Sequence, residues 1–221
     1  MLDLIEAESG PNPTATLLIL HGLGADGNDF VPIAQQLELQ AVGPVRFIFP
    51  HAPARPVTIN GGQRMRAWYD ILGTEPDGVQ DEAGLRQSRM LVEALLAREQ
   101  QRGIAPGRIV LAGFSQGCAM ALLTGLRHGE RLAGIAGLSG YLPLADTTAA
   151  ERSAANRDTP IFLAHGAFDN VVALERAEAS RDLLRTLGYA PEWHEYLMPH
   201  SVCDEEVADL NAWLLRVLAD A

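Results

Sequence analysis

Short, nearly uninterrupted apolar runs recur along this chain, with longer segments of helical period between them. Residues 16–20, 45–49, 108–112, 132–138 and 160–164 read as strands. A strand that is apolar at almost every position is buried on both faces, the condition of a parallel sheet covered by helices. Residues 192–196 alternate instead, which places that strand nearer an edge. The helical segments are 81–102, 116–128, 174–187 and 204–218. In the first, Leu85, Met90, Leu91, Leu95 and Leu96 suggest an apolar stripe, and Gly103 follows its end. Residues 116–128 are apolar on most sides, so that helix is expected to be buried. Strand–helix alternation throughout predicts one α/β domain over 1–221, a mostly parallel sheet with helices on both faces. Two connections depart from the rhythm. Residues 50–79 have no clear periodicity, and stretches of that kind are usually functional. The short gap between 138 and 160 leaves little room for a large lid.

Composition narrows the functional classes. The formal net charge of the 221 residues is −11, which repels phosphate backbones and anionic membrane surfaces. Nucleic-acid partners and stable membrane association are therefore not expected. The acidic start Met1-Leu2-Asp3-Leu4-Ile5-Glu6 lacks the basic and apolar regions of a signal peptide, and no apolar run is long enough to span a bilayer. Cys118 and Cys203 are the two cysteines, too few for a disulfide framework or a thiolate metal site. A cytoplasmic protein without metal or cofactor is the expectation. Cys118 reads as a small core residue.

The chemistry centres on Gly113-Phe114-Ser115-Gln116-Gly117, a G-x-S-x-G run directly after an apolar strand and directly before an apolar helix. In that setting a sharp strand-to-helix turn lifts a serine hydroxyl above the sheet, and small flanking glycines keep the turn free of clashes. A bare hydroxyl is a poor nucleophile and needs a base. Such a turn takes its partners in the chain order serine, acid, histidine. Of the six histidines, His21 and His51 precede Ser115. His200 follows the alternating strand and precedes the last helix, the position expected of the base. Asp169 lies just past a strand's C-terminal end, where open α/β sheets build their sites. Asp146 is its rival, Asp158 lies at the wrong end of its strand, and Asp182 reads as a solvated helix residue. An oxyanion needs backbone N–H donors: Gln116 at the helix start, and Leu23 within the turn His21-Gly22-Leu23-Gly24. Trp68-Tyr69-Asp70, inside the irregular segment, could either line an acyl pocket or anchor the loop to the core.

Several runs together resemble the phospholipase/carboxylesterase family, which includes bacterial carboxylesterases and acyl-protein thioesterases. They are His21-Gly22-Leu23-Gly24-Ala25-Asp26, Phe49-Pro50-His51-Ala52-Pro53, Val57-Thr58-Ile59-Asn60-Gly61-Gly62 with Met65 and Trp68-Tyr69-Asp70, Gly113 to Gly117, His165-Gly166 with Asp169, and Met198-Pro199-His200. The resemblance spans nearly the whole chain. It implies an α/β-hydrolase fold, with Ser115 as nucleophile, Asp169 as acid, His200 as base, Leu23 and Gln116 as oxyanion donors, and Trp68 beside the substrate. It also makes a homodimer an expectation. Cys118 and Pro199 depart from it, each standing where the family commonly has glycine. The reading that follows is a serine carboxylesterase acting on short- to medium-chain esters through an acyl-enzyme. A thioesterase or lysophospholipase with the same residues is the nearest alternative, followed by a lactonase-type hydrolase and a non-catalytic ligand-binding relative.

Overall fold

The computed structural model describes residues 2–73 and 78–219. In chain order the strands are β1 (Leu4–Glu8), β2 (Ala15–Leu20), β3 (Val45–Pro50), β4 (Ala54–Val57), β5 (Gln63–Arg66), β6 (Ile109–Phe114), β7 (Gly134–Leu138), β8 (Ile161–Gly166) and β9 (Glu192–Tyr196). The helices are α1 (Val31–Ala34), α2 (Glu82–Gln101), α3 (Gln116–Gly125), α4 (Ala145–Glu151), α5 (Leu174–Thr186) and α6 (Asp204–Ala219). Seven strands form one sheet in the order β1-β3-β2-β6-β7-β8-β9. All neighbours are parallel except β1, which runs antiparallel to β3. β9 closes the other edge, in keeping with its alternating sequence.

Alternate residues of a strand face opposite sides, and β2 shows the consequence. Leu18 and Leu20 join the apolar layer under α2 and α3, whereas Leu17 and Ile19 join the layer under α1 and α6. Every residue of α3 is buried. The apolar stripe of α2 differs from the expectation. Leu85, Val92, Leu95 and Leu96 are buried, but Met90 is 66% exposed. At about 100° per residue, position 90 lies well away from the face shared by 85, 92 and 96. Ser88 and Glu99 occupy that buried face instead. Glu99 is satisfied there by Arg46 at 2.9 Å, Arg102 at 3.0 Å and the Thr16 hydroxyl at 2.9 Å. A carboxylate paired on both oxygens is tolerated inside a protein.

Part of the irregular segment 50–79 is the antiparallel hairpin β4–β5. Residues 74–77 of that segment lie outside the described ones. Between β7 and β8 the chain forms the seven-residue α4, and no large lid is present among the described residues. The edge strand β1 was not anticipated, because its short acidic sequence is mostly solvent-facing.

Among the described residues, one buried carboxyl group has neither a counterion nor an ordinary hydrogen bond. Glu206, in the first turn of α6, is fully buried, and neither carboxyl oxygen makes a hydrogen bond of ordinary geometry, although the Cys203 N–H faces it. Burial pushes its carboxyl up to about 8 from an ordinary 4.5. The unfolded chain releases that proton near the lower value, so the folding stability linked to it is full below 4.5 and is lost as pH rises toward 8. Glu206→Gln removes the titration. The melting temperature of the variant, measured relative to wild type, should climb by several degrees across this window. A difference that stays flat or falls would contradict a neutral buried carboxyl.

Candidate active site

β6 ends at Phe114 and α3 begins at Gln116, so Ser115 makes the reversal alone. Its backbone sits at φ 56° and ψ −116°, a conformation that side chains with a Cβ rarely adopt. The Ser115 N–H donates to the Leu138 carbonyl at 2.8 Å, which ties the turn to β7. A Cβ on Gly113 would collide with the Gly117 backbone, and a Cβ on Gly117 with the Leu20 carbonyl. Both glycines are therefore needed for α3 to pack down on β6 and β2 beneath the raised hydroxyl.

The loop after β9 brings His200 over this turn. Its Nε2 lies 2.9 Å from Ser115 Oγ, and its Nδ1 lies 2.6 Å from Asp169 Oδ2. A carboxylate only accepts, so Nδ1 carries the proton and Nε2 is free to accept the hydroxyl's. The other oxygen of Asp169 accepts the N–H groups of Val171 and Val172, each at 2.8 Å. His165, fully buried, donates from Nε2 to the Val172 carbonyl at 2.8 Å and holds the same loop. The Phe114 ring packs against the His200 imidazole at 4.7 Å between centroids. The two loops are stitched together by Ala167 N–H to Tyr196 O and Phe168 N–H to Met198 O, at 2.8 and 3.0 Å. These ties use carbonyls and neighbouring N–H groups, so the missing N–H of Pro199 does not keep His200 from its partners. Asp146, Asp158 and Asp182 are all exposed, and Asp182 pairs with Arg181.

Gln116 is the first residue of α3, so its N–H has no acceptor within the helix. The Leu23 N–H makes no hydrogen bond among the described residues. Leu23, Ser115 and Gln116 line one cleft. The turn that carries Leu23 is shaped by His21, whose Nδ1 donates to Gly22 O at 2.7 Å and whose Nε2 accepts the Ala52 N–H at 3.0 Å. Burial lowers the His21 pKa, which keeps the ring neutral as this arrangement requires.

Trp68, expected beside the substrate, does not reach the cleft. It is fully buried, with its indole N–H on His21 O at 2.9 Å. The Gln116 side chain accepts the Trp68 N–H at 2.8 Å and donates to Tyr69 O at 2.8 Å. Trp68 thus anchors the irregular segment, and its neighbour Tyr69 faces the cleft. Cys118 is buried under the glycines of the β7 end, and burial raises its thiol pKa far above the ordinary value, so it is inert.

Two clefts meet at Ser115. One, of about 170 Å³, is lined by Leu23, Tyr69, Tyr141, Val172 and Arg176, with the exposed apolar residues Ile59, Leu72, Val79 and Val171 at its mouth. The other, of about 450 Å³, runs past His200 along Phe30, Ile33, Phe114 and Val202, with Asp29 on its wall. Tyr69, Tyr141, His21 and Arg176 were not singled out from the sequence. The Trp68-Tyr69-Asp70 and His21-Gly22-Leu23-Gly24 runs carried a signal for Tyr69 and His21, and nothing pointed to Tyr141 or Arg176. Among the described residues, no group of three or more His, Cys, Asp or Glu is placed to hold a metal ion, and no helix is long and apolar enough to cross a membrane.

A sequence model of the phospholipase/carboxylesterase family matches residues 4–218. Acyl-protein thioesterase 1 of Yarrowia lipolytica is 41% identical over 206 residues, 91% of each chain. Acyl-protein thioesterase 1 of Mycosarcoma maydis is 40% identical over 230 residues, covering 97% of this chain and 96% of that protein. The crystal structure of Arabidopsis thaliana SOBER1 superposes with a TM-score of 0.88 at 30% identity, over 92% of this chain and 99% of that one. The chain belongs to the phospholipase/carboxylesterase family. It has the α/β-hydrolase fold and is a carboxylic ester hydrolase.

The two hydrogen bonds of the Gln116 side chain give a direct check on how the irregular segment is held. Gln116→Ala keeps the backbone N–H but strands a buried donor and a buried acceptor. That costs about 1–3 kcal/mol. kcat/KM for a simple ester should fall by roughly ten- to a hundredfold as Tyr69 loses its position. Unchanged kinetics would mean that the Trp68 indole anchor alone holds the cleft wall.

Proposed function

We propose that this chain is a serine hydrolase of acyl thioesters and esters, with Ser115 as nucleophile, His200 as base and Asp169 as the acid that orients it. The observation that carries the reading is the unbroken hydrogen-bonded line from Ser115 Oγ through both His200 nitrogens to Asp169. As Oγ attacks the carbonyl carbon, His200 Nε2 takes its proton, and Asp169 stabilises the imidazolium. The Leu23 and Gln116 N–H groups receive the oxyanion. His200 then protonates the departing alcohol or thiol, and water repeats the sequence on the acyl-enzyme.

That order of proton transfers divides the two clefts. The leaving group must lie beside His200, in the cleft of Phe30, Ile33 and Val202. The acyl group stays on Ser115 and extends into the cleft of Leu23, Tyr69 and Tyr141. The apolar mouth of the second cleft suits an acyl chain. The curated relatives near 40% identity are named for thioester cleavage, which favours thioesters over the short-chain oxygen esters first expected. Asp29 beside the leaving-group cleft and the net charge of −11 favour a neutral or cationic thiol, such as a cysteine in a basic polypeptide, over a polyanionic one.

Matched pairs of S-acyl and O-acyl substrates with the same acyl group separate the readings. Wild type should turn over the thioester with the higher kcat/KM, and Ser115→Ala should lose several orders of magnitude on both. Oxygen esters cleaved faster at every chain length would return the assignment to a plain carboxylesterase. Turnover that survives Ser115→Ala would overturn the nucleophile.

A further inference from the structure

Arg176 is the feature of the acyl cleft that neither a hydrocarbon chain nor the fold requires. It stands in the first turn of α5, where the helix dipole disfavours a cation. Its guanidinium lies over the Tyr141 ring, 3.4 Å from the centroid, and makes no ion pair or side-chain hydrogen bond among the described residues. The described carboxylates on the same cleft, Asp70 and Asp81, are already engaged. Asp70 accepts the Thr58 N–H and hydroxyl at 2.7 and 2.6 Å. Asp81 accepts the Asp70 and Gly84 N–H groups at 2.8 and 2.9 Å, and its nearest cation is Arg55. Among the described residues, then, no carboxylate pairs with Arg176, which stands on the wall of a cleft that also contains Ser115.

A second donor stands beside it. The Tyr69 and Tyr141 hydroxyls are 2.8 Å apart. A pair of phenols has two protons and uses one between them, so one O–H remains for a further acceptor. Burial holds the Tyr69 phenol well above its ordinary pKa, so that proton is present. A guanidinium fork next to a free phenol O–H is the donor set that a carboxylate takes up. The leaving-group cleft has the opposite character, with Asp29 on its wall.

We propose that Arg176, with the Tyr69–Tyr141 pair, selects acyl groups that carry a carboxylate at their far end, so the enzyme favours mono-esters and mono-thioesters of dicarboxylic acids over neutral acyl groups of equal length. Arg176 acts here as a specificity-determining residue. The proposal rests on the reading of Ser115 as nucleophile and of this cleft as the acyl side.

The test compares kcat/KM for the p-nitrophenyl mono-ester of adipic acid and for p-nitrophenyl hexanoate, in wild type, Arg176→Met and Arg176→Lys. Methionine keeps the apolar stem against Tyr141 and removes the charge. The adipate-to-hexanoate ratio should fall by roughly tenfold or more in Arg176→Met, with Arg176→Lys between the two. In wild type alone, free adipate should inhibit hexanoate ester hydrolysis competitively and lose potency as salt is added. A ratio that is the same in wild type and Arg176→Met, or adipate that fails to inhibit, would overturn the proposal and reduce Arg176 to a cover for Tyr141. Hexanoate turnover abolished by Ser115→Ala keeps the parent reading intact in that event. Hexanoate turnover that survives Ser115→Ala would take down both.

Discussion

The site depends on a backbone turn that a serine does not adopt without help. A residue with a Cβ at positive φ costs on the order of 1–3 kcal/mol and persists only where its surroundings leave no alternative. Here β6 and α3 meet so closely that Gly113 and Gly117 are in backbone contact, and Gly117 also abuts the Leu20 carbonyl of β2. The bond from Ser115 N–H to Leu138 O closes the turn from the side of β7. Three adjacent parallel strands thus fix one hydroxyl, and the same geometry leaves the Gln116 N–H without a helical partner. On the proposed mechanism, nucleophile and oxyanion donor are two products of one constraint.

Around this point the polar groups form two separate systems. One runs from His200 to Asp169 and ends on the Val171 and Val172 N–H groups, with His165 holding the loop from below. The other runs from the Gln116 side chain through the backbone of Trp68 and Tyr69 to His21. On the proposed mechanism the first orients the base, and the second shapes the acyl-side wall and the turn that bears Leu23. They come together at the Ser115–Gln116 step and on the walls of one cleft. A change in the irregular segment can therefore alter the substrate cleft without disturbing the line of proton transfer. That separation leaves room for a residue such as Arg176 to set specificity on one side.

Much of this was legible in the sequence, for identifiable reasons. Strands buried on both faces leave continuous apolar runs, and β2, β3, β6, β7 and β8 were all visible that way. Ser115, Asp169 and His200 could be singled out because each follows the end of a strand and their chain order is constrained. What stayed hidden was structure maintained by partners rather than by composition. β1 is a short edge strand whose pairing with β3 leaves no periodic trace. The hairpin β4–β5 carries Pro56 and three arginines, and reads as loop. An aromatic in a long loop left two uses open for Trp68, the family resemblance placed it beside the substrate, and only coordinates reveal the indole on His21 O. Arg176 had no signal at all, since what distinguishes it is its place over the Tyr141 ring with no anion paired to it among the described residues.

The proposed mechanism stands or falls with Ser115 as the carrier of the acyl group. A fluorophosphonate probe transfers a stable phosphonyl group to an activated serine, so stoichiometric labelling followed by peptide mapping tests the claim directly. One adduct per chain is expected on Ser115, appearing in step with the loss of esterase activity. Complete inactivation with the adduct on another residue, or full labelling of Ser115 with activity retained, would contradict it.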